Sequence, residues 1–373
     1  MTNRSQNLNW GLTPWSINFE PPASPLPETV DFAVVGGGFT GLSAAAELRR
    51  LDPHKSVAVF EAESVGARSS GHTGGLTLAE TAAGDLPGLG EVLAGFSTVL
   101  ANLEVTADVT LQGVWELDRV TENGGSPIRW SDSGPLRVAR EVPGGTTNPG
   151  KLISGLARAA LRHGALVFES ARVDQIEFGE DLILHVRGSQ IRARRVLIAT
   201  NSESLELSGL ANRADPKFTL AVATEPLAGG KLEALGLASR KPFYTIDLPY
   251  LWGRLLEENQ IIFGSGLVSV NSWQDLASVD IRKGEAFQLL ARLKERVTRL
   301  HPALAGIRFS HEWGGPILIA DQWRPVFKHH FRSDRVVVLG AYSGHGVALS
   351  VYLGSWAAEA LLGTRNLPNW NPE

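Results

Sequence analysis

The stretch Val34-Val35-Gly36-Gly37-Gly38-Phe39-Thr40-Gly41-Leu42 constrains the fold of this chain more than any other. It joins a short apolar run, Phe32-Ala33-Val34-Val35, to a segment from Thr40 to Leu51. In that segment Leu42, Ala45, Ala46 and Leu48 recur at helical spacing. Asp52-Pro53 stops the helix, and Val57-Ala58-Val59-Phe60 reads as a second buried strand ending at Glu61. A βαβ unit of about 30 residues is the size of a dinucleotide-binding unit. Its glycines divide the work. Gly36 makes the tight turn, Gly38 admits phosphate close to the backbone, and Gly41 lets helix and strand approach. The helix N-terminus turns free N–H groups and a positive dipole end toward a diphosphate. Glu61 stands where a carboxylate accepts hydrogen bonds from the adenosine ribose.

A chain of 373 residues exceeds one ordinary core and predicts two domains or one large one. The 35 basic and 39 acidic residues give a net charge of −4, which offers nothing to a polyanion such as nucleic acid. No apolar run reaches the roughly 18 residues of a membrane span. The first 30 residues hold no apolar core of a secretory signal, so a cytoplasmic location is expected. The absence of cysteine removes disulfides, thiolate metal sites, iron–sulfur clusters and a catalytic thiol. Redox chemistry would fall to a bound organic cofactor. His311, His329 and His330 lack a second ligand pair at helical spacing, so no metal site is expected.

Residues 1–30 read as an irregular arm whose Trp10 and Trp15 pack on the body. Val65 to Gly75 reads as a small, polar, glycine-rich loop able to lie against a planar ligand. A helix is expected over Glu91–Leu103, strands over Val109–Val120, and a linker over Gly144–Pro149. Asn148 then caps a helix with Pro149 at its first position, and Gly164 closes it. Ala165–Phe168 is a strand, followed by a meander of Arg172–Phe178, Leu182–Val186 and Gln190–Ala193. A separate strand, Arg195–Asn201, returns to the nucleotide unit. Further strands are Phe218–Thr224, Phe243–Asp247, a hairpin of Tyr250–Leu256 with Gln260–Gly264, and Ile307–Ala320. An amphipathic helix spans Ile281–Leu300, and the whole predicts an antiparallel sheet with a helix on one face. Finally Arg335–Gly340 is a buried strand. It leads into a second glycine cluster, Gly340-Ala341-Tyr342-Ser343-Gly344-His345-Gly346, and a helix to Leu362 that Gly363 ends.

The second cluster sharpens the first. A plain NAD-binding unit needs no closing strand, glycine turn and helix at the far end of the chain. A longer cofactor with a planar ring remote from its adenine does. A helix opening at Gly344-His345-Gly346 would favour a ring that becomes anionic on reduction.

With these pieces in this order, the chain resembles the FAD-dependent amine and amino-acid oxidoreductases of the D-amino-acid-oxidase-like (DAO) superfamily. Within it, the γ-glutamylputrescine-oxidoreductase-like branch is the most similar. The resemblance runs over about residues 30–363 and includes Thr224-Glu225-Pro226, Trp313-Gly314-Gly315, Asp321 and Pro325. It implies an α/β fold: a Rossmann-like, glutathione-reductase-like FAD-binding domain with a parallel sheet, and an inserted α+β substrate domain with a mostly antiparallel sheet. The expected division is an arm at 1–30, an FAD domain at 31–85, 148–210 and 330–373, and a substrate domain at 86–147 and 211–329.

The resemblance also implies site residues. Gly36, Gly38, Phe39, Thr40 and Gly41 would hold the diphosphate, Glu61 and Ala62 the ribose, and Val173 would lie beside the adenine. Arg68, Ser69, Ser70, His72, Thr73, Gly74 and Gly75 would line the diphosphate and the flavin. Ala199 and Asn201 would close the site, and Gly315, Gly344, His345, Gly346 and Val347 would hold the flavin edge. The branch usually has Arg-Asn where this chain has His72-Thr73, a departure that resembles dimethylglycine dehydrogenase. There the histidine carries a covalent bond to the flavin 8α-methyl, so His72 is expected to bond to FAD or to pack on its dimethylbenzene edge. Tyr244, Trp252 and Arg254 are the substrate candidates, Trp252 over the ring and Arg254 pairing with a substrate carboxylate. His345 and His311 are candidate proton carriers. The implied chemistry is oxidation of a carbon–nitrogen bond of a small amine or amino acid by hydride transfer to flavin N5. The imine then hydrolyses, and electrons pass to oxygen or to a carrier. A dehydrogenase using a protein acceptor, a non-catalytic FAD-binding subunit and an NAD-dependent reductase remain open alternatives.

Overall fold

The structure, a computed structural model, describes residues 8–119 and 125–371. Val120, the expected end of a strand, lies outside the described residues. The nucleotide unit forms where its pattern predicts: β1 (Thr29–Val35), α1 (Phe39–Leu51) and β2 (Val57–Phe60). The loop that follows is more ordered than its composition implies. It holds one helical turn, α2 (Ser69–His72), before β3 (Leu76–Leu78). Next come α3 (Val92–Asn102), β4 (Val114–Asp118), β5 (Trp130–Ser131), β6 (Pro135–Val142) and β7 (Gly144–Thr146). The expected linker at Gly144–Pro149 is therefore corrected to a strand, which pairs with β3. Its glycines mark close backbone approach, since a Cβ on Gly145 would overlap the Thr110 carbonyl.

Helix α4 (Pro149–Arg162) begins as predicted, with the Asn148 side chain accepting from Lys151 N at 3.1 Å. Then follow β8 (Leu166–Phe168), β9 (Val173–Phe178), β10 (Leu182–Val186) and β11 (Ser189–Ile198). The two strands expected at 190–193 and 195–201 are one. Ser189 to Ala193 of β11 pair with β10 while Arg192 to Ile198 pair with β1, so a single strand serves both partners. Short helix α5 (Leu205–Ser208) leads to β12 (Ala214–Thr224), and α6 (Lys231–Ala234) precedes β13 (Phe243–Thr245), β14 (Trp252–Leu255) and β15 (Ile261–Ser269). The chain ends with α7 (Gly284–Arg299), β16 (Phe309–Ala320), β17 (Val326–His330), β18 (Ser333–Gly340) and α8 (Gly346–Leu362). Strand β17 has no counterpart in the sequence reading. Lys328, His329 and His330 break its apolar pattern, and its pairing with β18 sustains it.

The α/β class holds, with two eight-stranded sheets. The first has the order β17-β18-β11-β1-β2-β8, parallel from β18 to β8, with β9 and β10 hung antiparallel on β11. Helices α1, α4 and α8 cover one face in a continuous apolar core that includes Leu42, Leu48, Leu152, Leu156 and Leu353. The second has the order β16-β12-β15-β14-β13-β4-β6-β5, antiparallel except where β13 meets β4. One face of it, with Phe218, Leu220, Val222, Phe243 and Phe263, packs against Leu290, Leu293 and Val297 of α7. The other face is chemically different. Register across seven strands aligns Arg140, Glu116, Tyr244, Trp252, Gly264, Ala221 and Trp313 in one row. Arg254, two residues along β14 from Trp252, shares that face. Among the described residues no helix is long and apolar enough to cross a membrane, and no group of three or more His, Asp or Glu is arranged to hold a metal ion.

Candidate functional site

Strand β1 delivers the chain to Gly36 at φ +111°, where a Cβ would lie 2.6 Å from the Ala199 carbonyl oxygen. Only glycine makes that turn without strain. A Cβ on Gly41 would overlap the Gly36 carbonyl, so α1 rests directly on the turn it leaves. Gly38 occupies the N-cap with no side chain to fill the cap. Gly37 N donates to Glu61 Oε2 at 2.7 Å and Glu63 N to Glu61 Oε1 at 2.9 Å. Burial raises the Glu61 pKa, and the two N–H donors pull the other way.

Beside this turn runs an open groove of about 700 Å³. Gly36, Gly38, Glu61, Ala62, Arg68, Ser69, Ser70, Val173, Ala199 and Asn201 all line it. Gly37, Arg172, Thr200 and Glu203 line it too, and sequence reasoning passed over them. Gly37 stood inside the motif. Thr200 and Glu203 follow directly after β11, a place where ligands of parallel sheets collect. Arg68 pairs with Glu63 and lies 3.7 Å from Glu203, whose burial raises its pKa. Phe39 turns its ring into the core and its N–H toward Ser70 Oγ at 3.1 Å.

The two glycine clusters meet. Thr40 Oγ1 and Tyr342 OH share a 2.7 Å hydrogen bond. Asn201 is the bracket between three segments: its Oδ1 accepts from Ala341 N at 2.9 Å and its Nδ2 donates to Ser69 Oγ at 3.1 Å. Ala341 and Ser343 both have left-handed backbones, φ +56° and +51°, an unfavourable conformation for side-chain-bearing residues. The turn is held there by Asn201, by Ser343 N donating to Leu318 O at 3.1 Å, and by Ser343 Oγ accepting from Ala320 N. It delivers Gly344, His345 and Gly346 to the start of α8, with Val347 buried behind them. Burial lowers the His345 pKa, and its Nδ1 is buried without a hydrogen-bond partner among the described residues.

The loop after α2 closes over the face of the second sheet that carries Trp252 and Arg254. A Cβ on Gly74 would overlap the Trp252 indole, which also lies against Gly264. A Cβ on Gly315 would stand 2.5 Å from His72 Cβ. Thr73 Oγ1 accepts from Gly75 N at 3.4 Å. His72 is buried, and its Nδ1 lies 3.0 Å from the Arg68 carbonyl. Burial pushes its pKa down to about 4 against the pull of that carbonyl, so the ring is neutral. A carbonyl only accepts, so Nδ1 carries the proton and Nε2, which has no partner among the described residues, keeps a free lone pair.

Arg254 is buried. Its Nη1 donates to the carbonyls of Gly75 and Thr147, and its Nε has no partner among the described residues. Burial lowers its pKa to about 10, so the guanidinium is still a cation at neutral pH. Tyr244 donates to Glu116 Oε2 at 3.0 Å, and Arg140 grips both oxygens of that carboxylate at 2.7 and 2.9 Å. Burial raises the Tyr244 pKa. His311 stands apart on β16, its Nδ1 beside Ser310 Oγ at 3.0 Å.

Comparison with known proteins accords with this geometry. The DAO family, described as FAD dependent oxidoreductase, matches residues 31–360. Gamma-glutamylputrescine oxidoreductase of Escherichia coli (strain K12) is 26% identical over 397 aligned positions, covering 93% of this chain and 88% of the relative. A probable oxidoreductase, OrdL, of Rhizobium meliloti (strain 1021) is 25% identical, with 92% and 85% covered. Among solved structures, glycine oxidase from Geobacillus kaustophilus superposes with a TM-score of 0.73 at 18% identity, covering 92% of this chain and 98% of that one. L-proline dehydrogenase from P. horikoshii gives a TM-score of 0.72 at 18% identity, covering 92% and 97%. These two matches are likenesses of fold. The family match spans most of the sequence and both glycine clusters, and on that ground the chain belongs to the DAO family of FAD-dependent oxidoreductases.

Proposed function

We propose that this protein oxidises a carbon–nitrogen bond of a small amine or amino acid. One observation carries the reading. Two glycine turns, each opening a helix, are tied together at Thr40–Tyr342 and Asn201, and the second of them meets β16 of the second sheet at Leu318 and Ile317. The residues present fit FAD. Gly36 and Gly38 leave a cradle that side chains would fill, the groove runs on to Val173, and the start of α1 offers N–H groups to a diphosphate. In this reading Glu61 holds the ribose, and the start of α8 faces the carbonyl edge of the flavin. Segments 31–85, 148–210 and 330–373 then form the cofactor domain, and 86–147 with 211–329 form the substrate domain.

When bound, FAD supplies the hydride acceptor, N5, and the oxidised substrate leaves as an imine that water hydrolyses. The chain's own residues position and desolvate. Trp252 lies against Gly74 and sets how near a substrate comes to that loop. Among the described residues no carboxylate lies in salt-bridge contact with cationic Arg254, Asp108 acting on it only from farther off, and a substrate carboxylate would complete it. Neither role requires a strong base. Neutral His72, with its lone pair on Nε2, is the candidate for a covalent link to the cofactor. Yellow colour that separates completely from the denatured protein would refute the link.

The test of function is an anaerobic panel of amines and amino acids, followed by bleaching of absorbance near 450 nm. At least one class should bleach it. A bound flavin that none reduces would favour the non-catalytic subunit. Purified protein without that absorbance would favour a nicotinamide reductase. Re-oxidation of the reduced protein by oxygen, followed by stopped flow, separates an oxidase from a dehydrogenase that uses a carrier.

A further inference from the structure

The helical turn α2 carries Arg68, Ser69 and Ser70 to the groove, yet it is only four residues long. A helix that short has no stability of its own, and its last carbonyls lack intrahelical donors. Indoles supply them. Trp15 Nε1 donates to the Gly71 carbonyl at 2.8 Å, and Trp313 Nε1 donates to the His72 carbonyl at 3.0 Å. A third indole, Trp10, is fully buried. It lies under the Arg68 guanidinium, 4.9 Å from ring centre to Cζ, and meets the His72 ring edge-on at 5.2 Å.

Trp10 and Trp15 belong to the N-terminal arm, which is fastened on both sides of α2. Before it, Ile281 N donates to Asn9 O at 2.9 Å, Trp10 Nε1 donates to Leu276 O at 3.1 Å, and Gly11 bridges to Trp313. After it, Asn18 N donates to Ser154 Oγ of α4 at 2.9 Å. The arm thus crosses from the second sheet to the helices of the first, with α2 beneath it. The opposite side of α2 faces the groove, where Ser70 Oγ accepts from Phe39 N and Ser69 Oγ from Asn201.

We propose that the N-terminal arm is a strap that sets how tightly FAD is held, and that Trp10 and Trp15 are positioning residues acting through α2. The proposal rests on FAD occupying the groove. Neither indole lines the groove, so their influence passes through Arg68, Gly71 and His72.

The test compares FAD release from holoprotein by dialysis and flavin fluorescence. Every chain carries His72→Gln, so that a bond at position 72 does not mask release. Trp15→Phe keeps the ring and removes the N–H donor. It should speed release about fivefold, the effect of one hydrogen bond. Trp10→Leu should act in the same direction. Trp130→Phe is the control, because it removes an indole bond of similar kind, Nε1 to Leu235 O at 3.0 Å, far from α2. It should lower the melting temperature and leave release unchanged. Equal release from Trp15→Phe and its parent overturns the proposal, as does equal acceleration by Trp130→Phe. Parent protein that never holds FAD would instead overturn the functional reading beneath it.

Discussion

At the scale of single residues, Arg254 and His72 are each buried with a donor or acceptor to spare. Arg254 spends Nη1 on two carbonyls, Gly75 and Thr147, that lie 179 and 107 residues away in sequence. Arg254→Ala should raise KM for a carboxylate-bearing substrate far more than for a plain amine, and steady-state kinetics on matched substrates checks it. The same change leaves two buried carbonyls unpaired, so it should also destabilise by about 1–3 kcal/mol in chemical denaturation. His72 predicts a pH dependence. Burial depresses its folded pKa from 6.5 to about 4. Below 6.5 the unfolded ring takes a proton that the folded ring refuses. Stability is therefore undiminished above pH 6.5 and falls as pH drops from there towards 4, by about 3 kcal/mol in all. Denaturation of FAD-free protein against pH measures this, and His72→Gln should remove the slope. The difference between the two chains isolates His72 from His330, which burial and Arg332 also push down to about 4.

At the scale of elements, what was legible followed from how local the cause is. The first βαβ unit, the Asn148–Pro149 start of α4 and the Gly363 end of α8 rest on neighbours in sequence, and they appear where the sequence places them. Strands β7 and β17 were not legible for different reasons: Gly144–Thr146 is held by the distant Leu76–Leu78, while Val326–His330, joined to β18 by the turn at Phe331–Arg332, carries Lys328, His329 and His330 across its apolar pattern. Nor was the one-strand nature of β11, whose Arg192, Arg194 and Arg195 interrupt its apolar run without interrupting its pairing with β1. In the site, the groove-lining glycines were legible as a motif. The partners of Arg254, the role of Glu203 and the grip of Arg140 on Glu116 arise only from tertiary approach. Asn201 shows the cost of loosening such a junction. Asn201→Ala removes the acceptor for Ala341 N and the donor to Ser69, and with them the restraint on a left-handed turn. It should lower stability by about 1–3 kcal/mol and weaken FAD retention, measured by denaturation and by flavin release.

At the scale of the whole molecule, one chain builds two sheets with different logic. The parallel sheet presents the ends of its strands to the groove, while the antiparallel sheet carries Arg140, Glu116 and Tyr244 beside an apolar cluster of Trp252, Ile262, Ala221 and Trp313 on one side and packs beneath α7 on the other. A ligand that fills the groove binds the folded chain and not the unfolded one. FAD at a hundredfold excess over Kd should then stabilise the His72→Gln protein by about 2.7 kcal/mol and raise its melting temperature by several degrees. Calorimetry with and without added FAD checks this, and an unchanged melting temperature would mean that the groove does not take the cofactor.

The bond between Thr40 and Tyr342 joins residues 302 positions apart. On the ribosome, at about 5–20 residues per second, the first half of the cradle is made roughly 15–60 s before the second. Throughout that interval the glycine turn at Gly36 has no closing partner from the C-terminal helix. A cofactor that needs both halves of the cradle would therefore wait until α8 has left the exit tunnel.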